Sequence, residues 1–301
     1  MNALRQTWWV AYYEWFDALR SRRALVVLLL YMAAAVCTMH WSINTLHKIE
    51  THLATALQLP ASDKAGVVST AIWKSPIFQR MMKDMTQNDL VLQDITGKHP
   101  VEIIYAWLAF FYTPLLVVLV AGSRVAEELG AGTVRYAVFR TSRASWSLGK
   151  FAGQVFMVGL ALILSGACAY VVAKIRLAGS GTPDLFLNMI QWSARAWIYS
   201  IPYLGLAMGL SHLTRSSGKA TVMGIIAITA CFALSIMIKF LAADTGWRAL
   251  LPQLGLLLPD GHKASLWRNA AAPLVSGTVW LVTLGLCYLL AGYAVFRKRD
   301  V

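Results

Sequence analysis

Six uninterrupted apolar runs, at about residues 24–43, 103–123, 151–173, 196–213, 220–241 and 274–296, constrain this chain more than any motif in it. Each is long enough, at helical rise, to cross roughly 30 Å of hydrocarbon. Lipid offers no partner to an unpaired backbone N–H or C=O, so runs this continuous must be helices and are too long for barrel strands. The sequence therefore predicts an all-α integral membrane protein with six transmembrane helices and both ends on one side. Composition agrees: 58% of the residues are hydrophobic and 14% charged, where soluble domains carry about 25% charged.

Orientation follows from Lys and Arg. With cytoplasmic termini, the inner side holds Arg5, Arg20, Arg22 and Arg23, then Arg124, Arg135, Arg140, Arg143 and Lys150, then Arg215 and Lys219, then Arg297, Lys298 and Arg299. These short segments carry just over half of the 27 basic residues but only five of the 14 acidic ones, Glu14, Asp17, Glu127, Glu128 and Asp300. Short loops beside span ends set orientation, so both termini are placed in the cytoplasm. The net charge of +13 is then a topology and headgroup signal, and no nucleic-acid partner is expected.

Residues 1–23 are too long and too patterned for the basic leader of a secretory signal. Leu4, Trp8, Ala11, Tyr12, Trp15, Phe16 and Leu19 recur at helical spacing with Arg5, Glu14, Asp17 and Arg20 between them. That pattern predicts an amphipathic helix lying on membrane lipid at the inner surface. A frayed basic tail, the alternative, would have no reason to repeat Trp and Tyr on one face.

The extracytoplasmic segment 44–102 reads as a helical hairpin. Leu46, Ile49, Leu53 and Leu57 repeat before Pro60, Val68, Ile72, Ile77, Met81 and Met85 after it, and Gly97 and Pro100 end the unit. His40, His47, His52 and His99 lack the i, i+4 pairing or Cys partners of a metal site and are expected to be solvated. The loop at about 242–273 differs: Trp247, Leu250, Leu251, Leu254, Leu256, Leu257 and Leu258 are too apolar for solvent, and Pro252 and Pro259 cut the run too short for a span. A re-entrant or interfacial hairpin before the last span is expected. Cys37, Cys168, Cys231 and Cys287 all fall within predicted spans, where buried apolar packing is expected.

Enzymatic machinery is missing. Gly149-Lys150 and Gly218-Lys219 have Ala144 and Leu213 where a phosphate-binding loop needs its first Gly, and Phe151 and Ala220 where it needs a hydroxyl. No ATP binding, catalytic residue, metal or cofactor is expected in this chain. Arg124, Arg195 and Lys239 are read as sitting at span ends, where they can snorkel, which leaves no ionisable relay at mid-membrane for a proton-coupled carrier. Gly205 and Gly209, four apart in the fourth span, are expected to serve helix packing.

Between the second and third runs lies a polar elbow. It carries Glu127-Glu128, then Gly132-Thr133-Val134-Arg135, a short apolar run to Arg140, then Ser142-Arg143 and Leu148-Gly149-Lys150. In residues and order this segment resembles the cytoplasmic loop of type-2 ATP-binding-cassette (ABC-2) permeases: paired charges, Gly-Thr-aliphatic, an apolar run, Pro-Val/Ile-Ser-Arg, then Leu-Gly-Lys. Thr141 replaces the Pro and aliphatic residue, making the turn one residue shorter. The layout of the whole chain is similar too.

The resemblance implies a membrane-spanning half-transporter in the bacterial cytoplasmic (inner) membrane, most simply an exporter. It would pair with a second permease subunit, identical or homologous, and dock a separate ABC ATPase that binds ATP and Mg2+. The docking element would be a coupling helix within 126–147. Its residues would be Glu127 and Glu128 near a helix N-terminus, Gly132 and Thr133 at the turn, and Arg135, Arg140, Ser142 and Arg143, with the arginines reaching polar or acidic groups on the ATPase. For Arg135 and Arg140 lipid headgroups are the other possible ligand. ATP-driven closure of the ATPases would be linked to spans whose substrate affinity differs between states. The alternative function is a mechanotransmitter that acts through 44–102 on an extracytoplasmic partner protein without moving a solute.

Overall fold

A computed structural model describes residues 2–56, 80, 83, 89–95, 98–177, 183–241 and 250–298. The elements described are helices. Helix α1 (Ala3–Arg20) ends at Ser21, whose extended backbone turns the chain directly into α2 (Arg22–Ala56). A short α3 (Asp89–Ile95) precedes α4 (Pro100–Ala121), which starts where the His99 ring accepts the Val101 N–H at 3.4 Å and Pro100 has no N–H to leave unpaired. The elbow forms α5 (Arg124–Ala131) and α6 (Val134–Arg140). Next come α7 (Arg143–Arg176), α8 (Pro183–Ser211) and α9 (Ser217–Leu241). The chain closes with α10 (Leu251–Gly255), a 3-10 turn (Pro259–His262), α11 (Lys263–Trp267) and α12 (Ala271–Arg297).

Among the described residues, five helices are long and apolar enough to cross a membrane: α2, α4 running on into α5, α7, α9 and α12. Helix α8 is as long but more polar, and its position explains why. It packs against α4, α7, α9 and α12, so its polar side chains meet protein. Ser193 Oγ and Tyr105 Oη are 2.7 Å apart, Tyr199 and Tyr203 share a 2.7 Å bond, and Trp197 Nε1 donates to the Val155 carbonyl at 2.7 Å. The periphery is the reverse: only 17% of the apolar window of α9 and 22% of that of α2 is buried, against 67% for α4.

The expected glycine packing is present and extends to both partners. A Cβ at Gly205 would overlap the Gly285 carbonyl, and one at Gly292 would overlap the Gly209 backbone. Helices α8 and α12 therefore meet backbone to backbone, the contact that small residues allow inside a membrane.

Several expectations change. Arg195 does not snorkel at a helix end. It lies buried in the middle of α8, with Nη1 donating to the Leu266 carbonyl (3.2 Å), Nη2 to Asn269 Oδ1 (3.4 Å) and its guanidinium stacked on Trp192. Polarity in 183–195 hid a helical stretch that packs one face, with Leu185, Met189, Trp192 and Arg195, against protein. Lys239, by contrast, stands exposed in the last turn of α9 as expected, 3.9 Å from Asp260 Oδ2. Cys37 and Cys287 are exposed on the helix surfaces, Cys168 and Cys231 half-buried; in lipid an apolar side chain needs no protein core. The first arm of the predicted hairpin continues α2 as far as Ala56, whereas Leu57, Pro60, Val68, Ile72, Ile77, Met81, Met85, Gly97 and Trp247 lie outside the described residues.

Residues 250–262 are tied to α12, where Trp280 Nε1 donates to the Leu256 carbonyl at 3.0 Å and Tyr288 Oη to that of Leu257 at 2.5 Å. At about 1.5 Å per residue these side chains stand roughly 14 Å and 26 Å along α12 from Ala271. The segment runs beside the middle of that helix.

Candidate functional site

The elbow is built on a fixed base. Val125 and Ala126 are buried, the Ala126 N–H donates to Ser211 Oγ at 2.9 Å, and a Cβ at Gly130 would overlap the Arg215 carbonyl, so α5 rests on the C-terminal end of α8. Gly132 then adopts φ 72° and reverses the chain. That left-handed backbone is costly for any residue with a Cβ. Val134 anchors α6 in the core, with Ala137 and Val138 packed partly against it, while Arg135, Tyr136, Phe139 and Arg140 project outward.

The predicted residues separate into two sets. Glu127, in the first turn of α5, and Arg135 and Arg140 on α6 are exposed. Glu128 turns inward, with Oε1 2.5 Å from Lys150 Nζ. Thr133 Oγ1 donates to the Glu128 carbonyl (3.3 Å). Ser142 caps α7, its Oγ accepting the Ser145 N–H at 3.0 Å, and its own N–H donates to Gln6 Oε1 at 3.2 Å. Arg143 donates to the Arg297 carbonyl at 3.0 Å and lies 5.9 Å over the Phe296 ring. Two neighbours were read only as a short apolar run: Tyr136 is 77% and Phe139 88% exposed. Two aromatic rings three residues apart between Arg135 and Arg140 were the sequence signal for an outward face.

Behind this face, α1 packs on the first turns of α7. The sequence put Glu14 on the polar side of α1, but the structure buries it: Oε2 is 2.5 Å from Lys150 Nζ, and Oε1 accepts from Gln154 Nε2 at 2.5 Å. Burial alone would push the Glu14 carboxyl up; the Lys150 ammonium, the nearby Arg124 and the Gln154 hydrogen bond outweigh it and hold the group below its ordinary range. Leu4, Trp8, Trp9, Tyr12, Tyr13 and Phe16 are exposed, so the predicted apolar face divides: Ala11 is buried, Trp15 and Leu19 pack partly against the core, and the other aromatic rings stay at the surface.

No group of three or more His, Cys, Asp or Glu side chains set to hold a metal occurs among the described residues. The fold is that of a multi-pass helical membrane protein with a structured polar elbow between two long helices. Residues 77–301 match the family described as a protein of unknown function, DUF2705, and the chain belongs to that family. It is also similar to the probable ABC transporter permease protein NosY of Stutzerimonas stutzeri, 26% identical over 217 residues that make up 64% of this chain and 78% of that protein.

Proposed function

We propose that this chain is the membrane-spanning permease subunit of an ABC-type system, with α8 as a sixth span and both termini in the cytoplasm of a bacterium. In this reading it is not itself an enzyme. A separate ATPase binds ATP and Mg2+, docks on α5 and α6, and drives substrate export through a pathway shared with a second permease subunit. The observation that carries the reading is the outward face of the elbow. Tyr136 and Phe139 stand almost fully exposed among Glu127, Arg135 and Arg140, on helices whose opposite faces are fixed to α8 and α7. Aromatic and Arg side chains on a rigid support have the composition of an interface hot spot. The similarity to NosY and the Glu-Glu…Gly-Thr…Ser-Arg…Leu-Gly-Lys order support the same assignment. The test is copurification: the chain should capture an ATPase subunit, and a Tyr136→Ala, Phe139→Ala double variant, normally inserted, should lose it. Capture unaffected by that variant would reject the docking face.

A second reading, mechanical action on an extracytoplasmic partner, is favoured by the outer clamp on α3. Asp94 Oδ2 is 2.5 Å from Arg268 Nε and accepts the Asn269 N–H at 3.3 Å, the Asp94 carbonyl accepts from Asn269 Nδ2 at 2.9 Å, and Arg195 of α8 holds the same loop. Segment 44–102 is in this way linked to the central helix. ATPase stimulation by a small substrate in proteoliposomes would favour export, and stimulation only by an outer-side protein would favour transmission.

A further inference from the structure

We propose that Lys150 is a positioning residue which fixes the elbow to α1, making α1 a working part of the coupling apparatus. The proposal rests on the reading that α5 and α6 dock an ATPase. Three helices meet at one ammonium: Glu14 from α1, Glu128 from α5 and Lys150 from α7, each carboxylate 2.5 Å from Nζ. The Lys150 residue is 3% exposed and Glu14 6%. A second pair, Arg124 of α5 with Asp17 of α1 at 3.6 Å, closes a polar ring around the same junction.

The backbone is shaped to allow this meeting. A Cβ at Gly149 would come within 2.7 Å of the Thr7 carbonyl, and one at Gly153 within 2.9 Å of the Ala11 carbonyl and 2.8 Å of Glu14 Cβ. Two glycines four residues apart let α1 close on α7, which brings Glu14 to Lys150. Farther along, Gln6 accepts the Ser142 N–H, and the Ala3 carbonyl accepts from Ser145 Oγ at 3.3 Å. The polar inner edge of α1 thus follows the elbow and its exit turn from end to end.

Apolar packing would hold three helices at least as firmly as a buried ion group, because desolvation consumes most of the Coulombic gain. What the ions add is register. One ammonium with two acceptors on different helices defines the position of α5 relative to α1, whereas a Met in its place would tolerate sliding. Through Ser21, α1 leads straight into α2, so the ring connects the elbow to the first membrane helix without passing through α4.

The test uses the full chain, its four cysteines replaced by alanine, with spin labels on Tyr13→Cys in α1 and Ala131→Cys in α5. The parent should give one narrow distance distribution, and Lys150→Met and Glu128→Gln should each broaden it. Retention of the parent distribution in both overturns the proposal. Should Lys150→Met fail to fold, Glu128→Gln, which keeps the Lys150–Glu14 pair, decides alone. With the copurifying ATPase, both variants should bind it at unchanged affinity and lose about fivefold or more of its stimulated rate, the scale of a typical coupling energy. An unchanged rate, or affinity and rate lost together, counts against positioning. If the parent captures no ATPase, the docking reading fails, while the spin-label distances still decide whether Lys150 positions α5 on α1.

Discussion

Two adjacent carboxylates in the elbow occupy opposite environments, and substitution should separate them. Glu127 faces solvent in the first turn of α5, so Glu127→Lys loses a favourable helix-end charge at about 0.3–1 kcal/mol. Normal membrane levels with weakened ATPase capture are expected. Glu128→Lys places a second cation beside buried Lys150 and removes one of the two carboxylates that hold its ammonium, leaving Glu14. Glu128 keeps part of its side chain in solvent, which screens the pair and lowers its worth below that of a fully buried one, but the added cation beside buried Lys150 should still lower the thermal midpoint in detergent; equal midpoints for the two variants would contradict the inward placement of Glu128. On the outer side, the hydrogen bond from Arg268, reinforced by the Asn269 N–H, holds the Asp94 carboxyl below its ordinary range. A depressed folded pKa gives stability that is present above the unfolded value, about 3.9, and is lost as pH falls through the folded value. Amide exchange in α3, corrected for intrinsic rate, should therefore be flat from neutral pH down to about 5 and rise only in stronger acid. Asp94→Asn should raise it already at neutral pH.

At the scale of elements, two glycines make opposite predictions. Around Gly132 no atom lies within 4 Å of an added Cβ, so the only penalty of Gly132→Ala is the left-handed backbone, about 1–2 kcal/mol, and Gly132→Asn should recover part of it. Proteolysis of the elbow in membranes would report the order glycine, asparagine, alanine. Gly205→Leu instead forces a side chain into the Gly285 backbone, where overpacking costs at least about 1–3 kcal/mol, and both detergent stability and membrane level should fall. Gly132 was readable beforehand as the stop of α5 and Pro100 as the boundary before α4, whereas the apolar run marked the third span only from 151 and missed the polar first turns of α7 that Ser142 caps. The start of α8 was missed too. Hydropathy marked only 196–213, because Asp184, Asn188, Gln191 and Arg195 lower the average of its first half, where one face is packed on protein and the other is exposed.

Across the whole molecule, lipid made the architecture legible, since a chain in hydrocarbon has few ways to satisfy its backbone. The Lys150 junction was hidden for the opposite reason: Glu14 and Lys150 are 136 positions apart, and nothing in either neighbourhood names the other. The outward turn of Tyr136 and Phe139, by contrast, had a local signal in the flanking Arg135 and Arg140. Topology remains open to direct measurement. Ser216→Cys, after α8, should react with an impermeant thiol reagent only once the membrane is opened, and Ala264→Cys, in α11, should react from outside; both positions are exposed. The reverse pattern would invert the orientation drawn from Lys and Arg. The glycine crossing of α8 and α12 also bears on motion. Shear between packed helices relies on a layer of side chains that can repack, and at Gly205–Gly285 and Gly209–Gly292 that layer is missing. In the proposed permease, α8 and α12 would therefore act as a stator, and a working stroke would fall to α2 and α9, the two span helices with the smallest buried share.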